Sequence, residues 1–375
     1  MSFTKSESPP PVERGNYVSE WFGHRVYPVV AGTHRSLQDQ KTTRCPFLTA
    51  AMVTETCCVK PALSNGICTI SSCSNGPRQD WLVCPYRVQD TSLMTAVARR
   101  LFGISKRQRL VMVPAPRLSV MKERKTLRDA VIGGGAAVVY FQGKLGGEIS
   151  LSATERSPEL AFDTTMVEIR RQRAGLGVGK YGILEVQTMD FHGSYRYVVT
   201  NLKDALRLHG ARFHRVLRKN QNWLGERIEG PNIANVFKRT FYQIMLKFQI
   251  GTHESSAGCV LAIPSSVWDS WQRHLGKPAL RDRKDGTYQL SLAERVSESD
   301  RIPAWIYVFD IEASSTESPN HIKMRRIIAT EPESLSHYAL KVVPDFAIAA
   351  GGSADRLRAT VIRRLAAFWP EILRT

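Results

Sequence analysis

The chain has 375 residues, 52 of them Lys or Arg and 34 Asp or Glu, for a net charge of +18. That length supports a large core without disulfide staples, and the excess of positive charge favours a polyanionic partner, nucleic acid above all. No apolar run approaches the roughly 18 residues needed to span a bilayer, and the N-terminus carries Ser, Glu and Pro where a secretory leader would be apolar. A cytoplasmic protein with no membrane association is expected.

Residues 1–15, rich in Ser, Pro and charge, read as a disordered lead-in. Six of the seven cysteines then fall between Cys45 and Cys84, while Cys259 sits in the apolar stretch 258–263. In a reducing compartment such a concentration of thiols reads first as a metal site. There is no Cys-x-x-Cys pair, so buried, unreactive thiols stay open as the alternative. Helical spacing follows over 91–102 and 119–131, a buried strand over 136–141, and an alternating strand over 148–152. Asp163 closes a short strand begun at Leu160. Gly175, Gly177 and Gly179 read as a flexible connection, because a phosphate-cradling loop would need a helix after it and 181–188 alternates as a strand. Pro231 marks the expected start of the clearest amphipathic helix, with Ile233, Val236, Phe237, Phe241, Ile244, Met245 and Phe248 at helical intervals. Its other face is assigned Lys238, Arg239 and Lys247, as a solvated face or as phosphate contacts. Strands at 260–263 and 305–309 enclose a helix over 265–274. Basic runs at Arg99-Arg100, Lys106-Arg107-Gln108-Arg109, Lys122-Glu123-Arg124-Lys125 and Arg170-Arg171-Gln172-Arg173 read singly as solvated faces; together they form a field for nucleic acid.

The chemistry is carried by Asp163, followed after 21 intervening residues by Glu185-Val186-Gln187. Glu185 and Gln187 are two apart in a strand, so both leave the same face and one cation could meet both. Phosphodiester hydrolysis needs a cation to neutralise the phosphate and to activate water near neutral pH, and paired carboxylates suit hard Mg²⁺. An Asp followed by Glu-x-Lys is the usual form of this pattern; here Gln187 stands at the lysine position.

The stretch 184–195, together with the blocks 21–28, 45–50, 80–85, 144–148 and 236–243, resembles the NotI-like type II restriction endonucleases of the PD-(D/E)xK nuclease superfamily, which share the glutamine. Agreement is weakest over 1–17, over 196–225 and after about 280. The resemblance implies an α/β fold, a mixed central sheet flanked by helices, with a metal-binding N-terminal region at 16–90 and a catalytic and DNA-recognition domain at 91–375. It implies a homodimer making Mg²⁺-dependent double-strand cuts at a G·C-rich palindrome in double-stranded DNA, partnered functionally by a cognate DNA methyltransferase. Asp163 and Glu185 would hold Mg²⁺, the Val186 carbonyl could add a third oxygen, and Gln187 would orient the attacking water. Glu148 is either a further ligand or a capping or surface residue. Cys45, Cys58, Cys68 and Cys84, spaced Cys-x12-Cys-x9-Cys-x15-Cys, align with four thiolates around one structural ion; the family points to iron, and Zn²⁺ suits the same donors. Base-reading candidates near the amphipathic helix are Glu226, Arg227, Glu229, Asn232 and Asn235, with Lys238 and Arg239 for phosphates. The competing reading is a noncatalytic DNA-binding protein with a structural zinc module. A thiol redox enzyme is disfavoured, since no Cys-x-x-Cys pair is present.

Overall fold

The computed structural model describes residues 15–74, 76–173, 175–292, 302–349 and 353–369. Apart from Gly15, the expected lead-in lies outside the described residues.

The N-terminal region folds around a four-stranded antiparallel sheet of β1 (Tyr17–Trp21), β2 (His24–Arg25), β3 (Ile67–Ser72) and β4 (Gln79–Leu82), in the order β2-β1-β3-β4. Helices α1 (His34–Thr42) and α2 (Pro46–Met52) fill the long β2–β3 connection. Thr33 starts α1, its hydroxyl accepting from the Ser36 N–H at 3.0 Å. Every residue of β1 and β3 is buried, so the polar ones need partners. Glu20 takes a two-pronged bond from Arg87, at 2.8 and 3.0 Å, and Arg87 also donates to the Asn320 carbonyl at 2.6 Å. That triple contact locks the N-terminal sheet to the C-terminal half of the chain.

The body follows with α3 (Thr91–Leu101), β5 (Leu110–Pro114), α4 (Met121–Ile132), β6 (Ala136–Phe141), β7 (Ile149–Leu151), β8 (Leu160–Phe162), β9 (Thr164–Gln172) and β10 (Gly175–Val186). A small ribbon of β11 (Phe191–Gly193) and β12 (Ile228–Pro231) brackets α5 (Arg196–His209) and α6 (Phe213–Lys219). Next come α7 (Ile233–Gly251), β13 (Ser256–Pro264), α8 (Ser265–His274), β14 (Arg281–Asp282), β15 (Tyr288–Leu290), β16 (Ala304–Ile311) and β17 (Ile322–Thr330), then α9 (Pro332–His337), α10 (Val343–Ala349) and α11 (Ser353–Ala366). Among the described residues nine strands form one mixed sheet, ordered β14-β15-β17-β16-β13-β10-β9-β6-β5. The fold is therefore α/β, with a large mixed sheet flanked by helices.

Strand alternation distributes the core. Ile183 of β10 and Leu261 of β13 face α7 with Ile244 and Phe248, whereas Leu184, Val186 and Val260 face α3 with Leu93, Met94 and Val97. At roughly 1.5–3 kcal/mol per large apolar side chain, this two-sided burial holds β10 and β13 rigidly between helices. No helix of the described residues is long and apolar enough to cross a membrane.

Two expectations are corrected. Gly175, Gly177 and Gly179 belong to β10, where Gly175 pairs with Gln172 and Gly177 with Arg170 of β9. A ladder bonds through backbone alone, so a long hairpin absorbs glycines that its sequence pattern does not advertise. Pro231 ends β12, and the helix starts two residues later at Ile233. A proline needs only a fixed φ and no N–H donor, and the end of an edge strand satisfies both as well as a helix start does.

Candidate active site

The local geometry begins at the junction of β8 and β9. Asp163 stands between them, and β9 pairs antiparallel with β10 so that Thr164 lies opposite Leu184, which brings Asp163 beside Glu185 and Val186. Two backbone amides fix the acids: the Val186 N–H donates to Asp163 Oδ2 at 2.8 Å, and the Asp163 N–H donates to Glu185 Oε1 at 3.2 Å. Glu185 is thus oriented by the amide of Asp163, and Asp163 by the amide of Val186, next to Glu185. Glu185 Oε2 accepts from Lys247 Nζ of α7, in an ion pair whose two side chains are only 9 % and 7 % exposed. Asp163 Oδ1 has no partner among the described residues.

These groups line a polar cleft of about 310 Å³ with Gln187, Thr188, Thr240, Gln243 and Glu159. Burial pushes both carboxyls up. Asp163 rises despite the Val186 N–H and the Lys247 charge. Glu185 reaches about 7, because burial and the nearby Asp163 outweigh the pull of Lys247. Two desolvated carboxyls, one of them raised further by the other and one with an open oxygen, are a donor set that a hard divalent cation would relieve. Among the described residues no group of three or more His, Cys, Asp or Glu side chains forms a ligating cluster, so Glu159, which also lines the cleft, does not join Asp163 and Glu185 in a three-acid set.

Gln187 lines the cleft with the carboxylates, but its amide is committed elsewhere. Its Oε1 accepts from Thr240 Oγ1, and its Nε2 donates to the Thr188 carbonyl, so the amide ties β10 to α7. Glu148 is exposed on the connection into β7, beside Tyr86 and Gly143, and does not line the cleft; among the described residues β7 pairs with β8 and not with the main sheet.

Among the base-reading candidates, Glu226, Arg227 and Glu229 are exposed, and Asn232 is half-buried. Glu226 accepts from Asn201 Nδ2 at 2.9 Å, and Arg227 donates to Tyr197 Oη at 2.9 Å while stacking on that ring. They lie on or next to the β11–β12 ribbon, whose ends are closed by the Asn232 N–H donating to the Asp190 carbonyl at 2.9 Å, three residues along the chain from Gln187. The ribbon needs Gly193: a Cβ there would come within 2.2 Å of the Arg227 carbonyl oxygen. The side chains of Asn235, Lys238 and Arg239 lie outside the described residues. Lys247, grouped in sequence with those two as outward-facing, is instead buried in the cleft.

One surface was not anticipated from sequence. Strands β10, β13 and β16 are parallel, so their C-terminal ends share an edge, and beside the carboxylate cleft lies a second polar hollow of about 570 Å³. Arg78, Gln79, Asp310, Lys323 and Arg325 line it. By contrast, Arg170 and Arg171 sit at the far end of the β9–β10 hairpin, eight strand steps or roughly 25 Å from the acids.

The cysteines separate clearly. Cys45, Cys68 and Cys84 are buried, Cys58 is half-buried, and Cys57 is exposed. The thiol of Cys45 receives amide N–H groups of Leu48 and Phe47, that of Cys58 those of Lys60 and Gly66, and that of Cys84 those of Tyr86 and Arg87. The Cys68–Cys84 hydrogen bond pulls Cys84 down to about 6 and drives Cys68 well up. Burial raises Cys45 to about 12. Amides aimed at sulfur favour thiolates, and that fits a soft-metal donor set even though the four thiols do not close into a ligating arrangement. Cys58 lies within electrostatic reach of Cys84 and Cys45.

No model of a known protein family matches the chain, and no curated protein matches it.

Proposed function

We propose that the chain is a type II restriction endonuclease that hydrolyses phosphodiesters of double-stranded DNA, acting as a homodimer on a G·C-rich palindrome and paired in the cell with a cognate methyltransferase. The observation that carries the reading is the amide anchoring of Asp163 and Glu185 in a polar cleft at the C-terminal edge of the sheet. The resemblance to PD-(D/E)xK nucleases and the net charge of +18 support it. Asp163 and Glu185 would hold Mg²⁺, which when bound supplies charge neutralisation at the phosphate and a water more acidic than bulk. The protein's own part is to hold the two acids rigid, to exclude bulk water from their buried sides, and to fix α7 over the cleft through Gln187 and Thr240.

In the reaction, the oxygen of water bonds to phosphorus as the bond from phosphorus to the leaving sugar oxygen breaks. That oxygen keeps the electron pair and takes a proton from solvent, and the water's surplus proton passes to solvent. Base reading is assigned to the β11–β12 ribbon and to the neighbouring hollow, whose Arg78, Lys323 and Arg325 suit guanine and whose Asp310 suits cytosine. Cys45, Cys58, Cys68 and Cys84 would hold one structural iron, or zinc, that closes the loops between α1 and α3.

Digestion of plasmid DNA with Mg²⁺ is the test. Discrete fragments support the nuclease, and sequencing their ends gives the site and the cut position. A plasmid that is retarded in a gel but never cut would overturn catalysis in favour of a DNA-binding module.

A further inference from the structure

The strand position that usually carries a lysine beside the metal-binding acids holds Gln187, which is neutral and already committed to Thr240 and to the Thr188 carbonyl. A phosphodiester entering the cleft still brings a negative charge that grows as the fifth oxygen approaches phosphorus. The titratable groups facing that space are Asp163 from the β8–β9 junction, Glu185 from β10, Glu159 from the segment before β8, and Lys247 from α7. Three are acids, so Lys247 is the sole cation lining the cleft among the described residues.

Its placement is built rather than incidental. Thr240 and Lys247 are seven residues apart, two helical turns, and lie on one flank of α7; Thr240 clips the helix to Gln187 and Lys247 reaches Glu185. Ile244 and Phe248, buried against the sheet, set the rotation of that flank toward the acids. Lys247 Nζ also sits 5.7 Å from the ring centroid of Phe162, which closes the apolar side of its stem. Lys247 is buried, lines the cleft and bonds one carboxylate, and its long flexible stem would let the ammonium turn from Glu185 toward a phosphate bound there.

Resting on the nuclease reading, we infer that Lys247 of α7 is the catalytic cation of the site, contacting the scissile phosphate and the attacking water in place of a strand lysine, while Gln187 and Thr240 are positioning residues that set the register of α7. When Mg²⁺ is absent the ammonium occupies part of the carboxylate set; when metal and DNA enter, it moves from Glu185 Oε2 to the substrate oxygen.

The test compares the full-length protein with Lys247→Gln and Lys247→Arg in two assays. In single-turnover cleavage with saturating Mg²⁺, Lys247→Gln should fall about 100- to 1000-fold, while Lys247→Arg should recover at least tenfold of that loss. In Ca²⁺ titrations without DNA, Lys247→Gln should bind the cation several-fold more tightly than the parent, because the competing ammonium is gone; a structural lysine would leave that affinity unchanged or lower. Parent-level binding of the specific DNA in Ca²⁺ shows that the variants are folded. If the parent cuts and Lys247→Gln cuts within threefold of it, this inference fails and the nuclease reading stands. Loss of Ca²⁺ binding in Lys247→Gln also overturns it. If the parent cuts no DNA with Mg²⁺, the nuclease reading itself fails, and the catalytic role of Lys247 fails with it.

Discussion

Asp163 and Glu185 are held by the main-chain amides of Val186 and Asp163, so losing one carboxylate removes a cation donor without removing the amides that shape the strand ends. Asp163→Ala and Glu185→Ala should each abolish Mg²⁺-dependent cleavage while leaving sequence-specific DNA binding measurable in Ca²⁺; full cutting by either would reject the assignment. Acidity adds a second expectation. With Glu185 pushed up to about 7, a cation must displace a proton below that pH, so Ca²⁺ affinity measured by calorimetry should weaken by about tenfold per unit as the pH drops from 7 to 5. In the cation-free protein the sign is the reverse. The raised carboxyl contributes stability that is complete below its ordinary 4.5 and is lost as the pH rises through about 7, so the gain in melting temperature on adding Ca²⁺ should grow over that interval. A Ca²⁺-induced gain that is flat from pH 5 to 8 would contradict the burial of this group.

At the level of elements, the N-terminal sheet depends on contacts that its own short strands could not make. Arg87 is fully buried and joins Glu20 of β1 to the Asn320 carbonyl ahead of β17. Arg87→Met should cost about 3–5 kcal/mol in urea unfolding, since it strands Glu20 in the core; Arg87→Met combined with Glu20→Leu should recover most of that loss. The cysteine loops make a parallel case. Cys45→Ser, Cys58→Ser, Cys68→Ser and Cys84→Ser should each lose a tightly bound ion by elemental analysis, along with most soluble protein, whereas Cys57→Ser, Cys73→Ser and Cys259→Ser should retain it. Metal-free parent protein that remains fully soluble would reduce these thiols to packing residues.

For the whole molecule, the net charge of +18 predicts DNA binding that weakens steeply with salt, by about 10³-fold or more between 50 and 200 mM if at least six phosphates are contacted. A palindrome presents the same surroundings twice, so light scattering should give twice the 42.1 kDa of one chain, with or without DNA. A monomer in both states would require sequential nicking, visible as an open-circular intermediate in the plasmid digest.

Period-two and period-3.6 patterns, written in neighbouring residues, made several elements readable from sequence. The strand over 136–141 and the helix over 265–274 match β6 and α8 residue for residue, and Asp163 does stand at the end of β8. The convergence of Asp163 with Glu185 was legible too, because a short acidic spacing across a hairpin needs only strand pairing. Lys247 was not read correctly, although a signal existed. At 100° per residue it lies roughly 60° from Ile244, on the edge of the buried stripe with Thr240, whereas Lys238 and Arg239 lie about 120–140° away. Which edge of that stripe would meet the acids is set by how α7 rolls against β10 and β13, a contact between residues some sixty positions apart. Glu148 shows the same limit: nothing local tells whether β7 joins the main sheet or pairs only with β8. By itself the sequence determined the elements, the paired acids and the charge of the surface, since those follow from local spacing and composition. The tertiary structure alone decided that a helix delivers the cleft's cation and that Gln187 serves as a clip, because burial and partner choice are settled between elements that meet only in the folded core.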